Sequence, residues 1–259
     1  MRFGVCAGIE TAEALAEAGY DYIELSVAGD LIPEEDDAAW AEKRRAIAAM
    51  PLLPEAYNSF VRSGKIVGPD ANFDRLRRYV ATALTRAADV GGAIVVFGSG
   101  GARQIPGVYP QAEANRQMRD FLNLCGEASA KTGVVIVIEP LCKSECNNIN
   151  LVSEGAEWAR TIALPGVRNL ADTYHMECEN EPLSALVESA DVLAHVHTAD
   201  TGRLAPGTGI YDHAALFAAL KSANYDARLS IECNWNNQFN EQLAPALAHL
   251  KQHSKLLVR

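Results

Sequence analysis

Four side chains of metal-ligand type stand at the ends of β-rich runs in the second half of the chain. Glu139 follows the apolar run VVIVI, Asp172 closes NLAD, His197 closes HVH, and Glu232 follows LSI. Alternation along a strand puts His195 and His197 on one face, with His197 nearer the C-terminal end. Three unpaired carboxylates gathered in one place would repel and disfavour their own ionised forms. A divalent cation removes that conflict. The oxygen-rich set Glu139, Asp172, His197 and Glu232 suits Mn²⁺, Mg²⁺ or Co²⁺ better than a thiolate-seeking metal. Each residue alone has a plainer reading, as a helix cap or solvated carboxylate, and His195 alone reads as a satisfied core histidine. Recurrence at consecutive strand ends is what gives the set its meaning.

The gathering depends on the elements that carry these residues. Eight β-rich runs, at 3–6, 20–26, 52–57, 93–97, 134–139, 167–170, 192–197 and 228–233, recur about every 30 residues, the length of one strand-plus-helix unit. Continuous apolar runs such as GVVIVIE read as strands covered on both faces, as in a parallel sheet. Between them lies helical spacing. Phe73, Leu76, Val80, Leu84 and Ala87 form one stripe, with Arg75, Arg77 and Arg78 off it. Ala114, Met118, Phe121, Leu122, Cys125 and Ala128 form another, closed by Gly133. Further helices are expected at 11–18, 35–49, 153–161, 183–190, 212–222 and 240–253. The pattern predicts an α/β fold, a (β/α)8 TIM barrel, as a single domain over 1–259. A dinucleotide-binding open sheet would need G-x-G-x-x-G after its first strand, and AGIETAE lacks it. GSGGAR after the fourth run reads as a backbone turn with weak anion-binding potential. In a TIM barrel the C-terminal strand ends converge on one axis and carry the active site.

The motifs then become recognisable. The chain resembles the xylose isomerase-like TIM-barrel superfamily, in its sugar isomerase and epimerase branch of ketose 3-epimerase, hydroxypyruvate isomerase and inosose dehydratase type. EPLCKSE looks like the family's E-P-L-x-x-x-E, DTYH like its D-x-x-H, HVHTADTGRLAPGTG like its H-x-H-x(5)-R-x-x-P-G-x-G, and SIE supplies the last ligand. The resemblance implies metal ligation by Glu139, Asp172, His197 and Glu232, with Glu139 and Glu232 as the catalytic acid and base. It places Glu145, His175 and Arg203 on the substrate. It implies one divalent ion, Mn²⁺ first with Mg²⁺ or Co²⁺ as alternatives. The chemistry implied is proton abstraction next to a carbonyl through a metal-bound enediolate, giving isomerisation or epimerisation of a small carbohydrate. Dehydration of a keto-polyol, or elimination at an oxidised glycoside, would begin the same way. A non-catalytic metal-binding subunit is a further alternative. Homodimers or homotetramers are common in the family. The segment CNWNNQFN after the eighth run matches no subfamily, and substrate identity stays open.

Glu24, Tyr57, Asn58 and Ser99 also fall at strand ends and could line the pocket, Glu24 and Asn58 equally well as structural hydrogen-bonders. Trp235 could cover a sugar face or simply pack. The turn Pro206–Gly209 could present amides to a phosphate.

Composition sets the exclusions. With 23 Lys+Arg against 33 Asp+Glu, the formal charge is -10, the wrong sign for a sequence-independent nucleic-acid binder. Endonucleases of the same superfamily use many histidines, and here none precedes His175. No run of 18 apolar residues suggests a membrane span, and no signal peptide is read at MRFGVCAGIE. Six scattered cysteines read as reduced thiols in a cytoplasmic protein.

Overall fold

The apolar runs form eight parallel strands: β1 (Arg2–Cys6), β2 (Tyr22–Ser26), β3 (Pro54–Asn58), β4 (Ile94–Phe97), β5 (Val135–Ile138), β6 (Val167–Asp172), β7 (Leu193–Thr198) and β8 (Arg228–Ile231). They close into a barrel in sequence order, with β1 pairing β8. The structure is a computed structural model that describes residues 1–255; the last residues of the expected domain, 256–259, lie outside the described residues.

Strand alternation divides the core in two. Tyr22, Ala56, Ile94, Val96, Val137 and Leu170 pack together inside the barrel. A larger set, including Phe3, Val5, Ile23, Val95, Ile136 and Val196, packs outward against the helices. At Gly4 a Cβ would overlap the Tyr22 ring, so the missing side chain lets that ring lie across β1. The N-terminal mouth is closed by charge: Glu55 accepts from Arg228 Nε at 2.6 Å and from Arg2 Nε at 3.2 Å. A register shift between Ile23 and Glu24 pairs Glu24 with Ala56 and leaves Glu55 out of the β2–β3 ladder.

The main helices fall where periodicity puts them: α1 (Ala12–Ala18), α2 (Asp37–Ala48), α3 (Phe73–Asp89), then, past the short α4 (Gly100–Arg103), α5 (Gln111–Thr132) and α6 (Val152–Ile162). After another short helix, α7 (Thr173–Cys178), come α8 (Ser184–Glu188), α9 (His213–Ser222) and α10 (Phe239–Lys255). The α3 stripe Leu76, Val80, Leu84 and Ala87 is buried, and Asn72 caps the helix by accepting from Arg75 N at 3.0 Å. Gly133 ends α5 with φ 78°, a left-handed closure that glycine takes without strain. The sequence did not announce α4 and α7, because one or two turns are too short to show a period. Both follow strands on the face that carries the ligand-type residues. Among the described residues no helix is long and apolar enough to cross a membrane.

Candidate active site

Glu139, Asp172, His197 and Glu232 meet at the C-terminal mouth of the barrel, each offering one ligand atom within 4.8 Å of the others. Pairing delivers them. Asp172 lies opposite His197 in the β6–β7 ladder. Glu139 follows β5 with its N–H on Phe97 O at 3.1 Å, and Glu232 follows β8 with its N–H on Thr198 O at 3.0 Å. His197 Nδ1 is 3.2 Å from Glu139 Oε1, 3.3 Å from Glu232 Oε2 and 3.9 Å from Asp172 Oδ2. Its Nε2 meets Glu24 Oε1 at 3.0 Å.

The electrostatics describe a site short of positive charge. Burial pushes the Asp172 carboxyl up to about 6. Burial works the same way on Glu232, but His197 and Arg203 outweigh it and bring that group down to about 2. Burial opposes charge on His197, yet the carboxylates around it, Glu24 first, raise it well above the ordinary histidine range. Asp172 Oδ2 is buried with no hydrogen-bond partner among the described residues. Three carboxylates, one of them with an orphaned buried oxygen, and one imidazole nitrogen, all within 4.8 Å of one another, fit a hard divalent cation.

The expected substrate residues stand around this cluster. His175, on α7, accepts from Cys142 N–H at Nδ1, 3.1 Å away. In the neutral ring the proton therefore sits on Nε2, which is 3.9 Å from Asp172 Oδ2. Arg203 reaches Glu232 Oε2 at 3.0 Å and Glu145 Oε1 at 3.4 Å, and its guanidinium lies 4.6 Å from the Tyr174 ring centroid. A cavity of about 420 Å³ is lined by Glu139, Glu145, His175, Arg203 and Glu232 together with Asn58 and Ser99. A second, of about 500 Å³, lies toward β1 and β2 and shares Asn58, Arg203 and Glu232. Such volumes are those of small-molecule sites.

Several contributors had no sequence signal of their own. Arg103, within GSGGAR, is fully buried and donates to Gly98 O at 2.6 Å, Glu139 O at 2.8 Å and Asn148 O. That segment is thus an arginine anchor for the β4 and β5 ends. A Cβ on Gly98 would overlap Glu139 Oε2, so this glycine makes room for the Glu139 carboxylate. Asp200 gathers the loop that carries Arg203, accepting from the amides of Thr201 at 2.9 Å and of Gly207 and Tyr211 at 2.8 Å. Gly209 N–H turns to the same carboxylate. The Gly207 and Gly209 amides that could have met a phosphate in the turn Pro206–Gly209 are directed inward instead, to Asp200, six residues before Pro206. Trp235 packs edge-on against Phe239, with ring centroids 5.1 Å apart. Cys142 and Cys146 are free thiols, as are Cys6, Cys125, Cys178 and Cys233.

Comparison with known proteins gives a consistent setting. The family profile described as xylose isomerase-like TIM barrel matches residues 12–253. A 3-dehydro-D-guloside 4-epimerase of Escherichia coli K12 is 35% identical over 156 residues, which is 58% of this chain and 60% of that protein. An L-ribulose 3-epimerase of Methylomonas sp. DH-1 is 27% identical over 271 residues, covering 92% of this chain and 88% of that protein. The crystal structure of a 3-keto-D-glucoside 4-epimerase from E. coli superposes with a TM-score of 0.80 at 24% identity, over 96% of this chain and 99% of that one.

Proposed function

This chain belongs to the xylose isomerase-like TIM-barrel family, and we propose that it is a divalent-metal-dependent epimerase of a keto-sugar, acting at the carbon next to the carbonyl. The observation that carries the reading is the pair Glu139 and Glu232, which come from the ends of β5 and β8 and lie 3.2 and 3.3 Å from His197 Nδ1. Mn²⁺ is the preferred ion, held by Glu139, Asp172, His197 and Glu232. When bound it supplies positive charge that acidifies the C–H beside the carbonyl.

The protein's own groups then divide the work. One of Glu139 and Glu232 takes the proton from the carbon, and the other returns one to the opposite face, so the configuration inverts with no net proton change. His175 Nε2–H donates to the oxygen on which charge develops. Arg203, held over Tyr174, steadies that charge from the loop after β7. Glu145, at the rim, holds a substrate hydroxyl. The names of the two relatives, a 4-epimerase of a 3-dehydro-guloside and a 3-epimerase of a ketose, support a keto-sugar as the substrate class.

The test is incubation with Mn²⁺ in D₂O against a panel of ketoses, 3-keto-glycosides and keto-inositols. The expected result is deuterium at one carbon, with inversion there. Glu139→Gln and Glu232→Gln should each abolish both exchange and inversion. Full turnover by verified metal-free protein would sink the proposal.

A further inference from the structure

Beneath the metal-ligand cluster a fourth carboxylate is fully buried: Glu24, on β2, with no exposed surface. It touches neither Glu139 nor Asp172 in any hydrogen bond. Its oxygens take Nε2 of His197 at 3.0 and 3.2 Å, Nε2 of His195 at 2.9 Å, and the Ser230 hydroxyl at 2.6 Å. Ser230 Oγ is in turn 2.8 Å from Tyr22 Oη. We propose that Glu24 is the positioning residue of this centre: it fixes the ring of His197 with its proton on Nε2, so that the Nδ1 lone pair is aimed at the cation. The inference rests on the metal-dependent reading of the site.

Donor arithmetic carries it. An ionised carboxylate only accepts, so each group against Glu24 must donate. That places a proton on Nε2 of both histidines. His195 agrees, since its Nδ1 is buried with no hydrogen-bond partner among the described residues, as the nitrogen without a proton would be. For His197 the consequence is directional. With Nε2 committed to Glu24, the only nitrogen that can ligate is Nδ1, the one 3.2 to 3.9 Å from Glu139, Glu232 and Asp172. Were the ring flipped or the tautomer reversed, an N–H would point into three carboxylates and hold the place of the cation. A carboxylate behind a ligating histidine also raises the basicity of its free nitrogen, and loss of such partners typically weakens metal affinity about 10–100-fold. Only one carboxylate is needed for both histidines because β7 alternation stacks His195 and His197 on one face, with ring centroids 5.0 Å apart.

Glu24→Gln tests it, because the amide keeps the shape but offers both an acceptor and donors. The Mn²⁺ dissociation constant, measured by calorimetry without substrate, should rise about 10–100-fold. At saturating Mn²⁺ turnover should recover in part, so the metal activation constant moves more than kcat. Ser230→Ala removes one donor to Glu24 without touching His197, and should leave Mn²⁺ affinity within about threefold. Equal affinities for wild type and Glu24→Gln would overturn the inference. A second readout needs no variant: in Mg²⁺-loaded wild type, ¹⁵N NMR should place the His197 proton on Nε2, in slow exchange with solvent. A proton on Nδ1 would overturn the assignment even if Glu24→Gln does not fold. Failure of wild type to bind any divalent ion would instead remove the metal-dependent reading itself.

Discussion

Glu139 owes its place to a glycine and a buried arginine. Gly98 leaves the space into which the Glu139 carboxylate extends. Its backbone does not lie in the left-handed region, so alanine is conformationally acceptable there and the cost falls on the carboxylate. Gly98→Ala should fold, bind less than one Mn²⁺ per chain at concentrations that fill the wild type, and turn over on the order of 10²-fold more slowly, the usual penalty for misplacing a reacting group by about 1 Å. Metal analysis and steady-state rates check both. Arg103 acts on the same residue from below. Burial lowers its pKa, and the three carbonyls of Gly98, Asn148 and Glu139 are what hold its charge there. Arg103→Met strands those carbonyls in the interior. It should cost about 3 kcal/mol or more in urea unfolding, since each orphaned buried polar group costs about 1–3 kcal/mol. Arg103→Lys should rescue little, because an ammonium is a point charge and cannot span three carbonyls as a planar guanidinium does.

Helices and loops around the barrel show what sequence could and could not reveal. The α3 and α5 stripes were legible because five or six apolar residues repeat at helical spacing and all pack inward. The convergence of Glu139, Asp172, His197 and Glu232 was legible because a polar residue at the end of an apolar strand is conspicuous. Arg103 and Asp200 were not, because their partners are backbone groups, which carry no sequence signature. Glu24 was visible as a strand-end acid that could line the pocket or hydrogen-bond, but it lies within β2 and its partners could not be named, because they lie more than 170 residues away. The Asp200 carboxylate accepts from three amides of the Arg203 loop, so Asp200→Ala should loosen that loop, raising KM about tenfold with a smaller effect on kcat, as initial rates at fixed Mn²⁺ would show. A different device joins α9 to α10. His213 Nδ1 and His249 Nε2 are 3.1 Å apart, and His253 stacks on His213 at 6.5 Å between centroids. Burial, then His249, brings His213 down to about 4. The folded chain thus keeps His213 neutral where the unfolded chain, titrating near 6.5, would take up a proton. That contribution is complete above pH 6.5 and is lost as pH falls toward 4, to a limit of roughly 3 kcal/mol. His213→Phe should flatten the pH dependence of urea unfolding in that window; an unchanged slope would place the acid sensitivity elsewhere.

Across the whole molecule, the barrel gathers scattered acidity at one mouth, where the proposed cation would bind. A formal charge of -10 is mostly spread over the surface, but Glu24, Glu139, Asp172 and Glu232 are concentrated at one mouth, while Glu55 at the other is matched by Arg2 and Arg228. The N-terminal end is electrostatically complete within the chain, and the C-terminal end is not. Arg203 offsets part of the charge there, and the surrounding carboxylates, Glu24 first, raise His197 well above the ordinary histidine range. Because the four proposed ligands come from the ends of β5, β6, β7 and β8, a bound ion would tie half of the barrel wall together. The unfolded chain cannot present those residues at once, so binding energy becomes folding stability. At a free metal concentration of about 100 times Kd the gain is about 2.7 kcal/mol. For a domain of this size that corresponds to a Tm increase of roughly 5–10 °C. Calorimetry before and after chelation, with removal verified by elemental analysis, should show that difference. The difference should fall steeply in Asp172→Ala, whose buried oxygen has no other partner among the described residues. An unchanged Tm on verified removal would mean that the four strand ends do not form the cation site until something else assembles them.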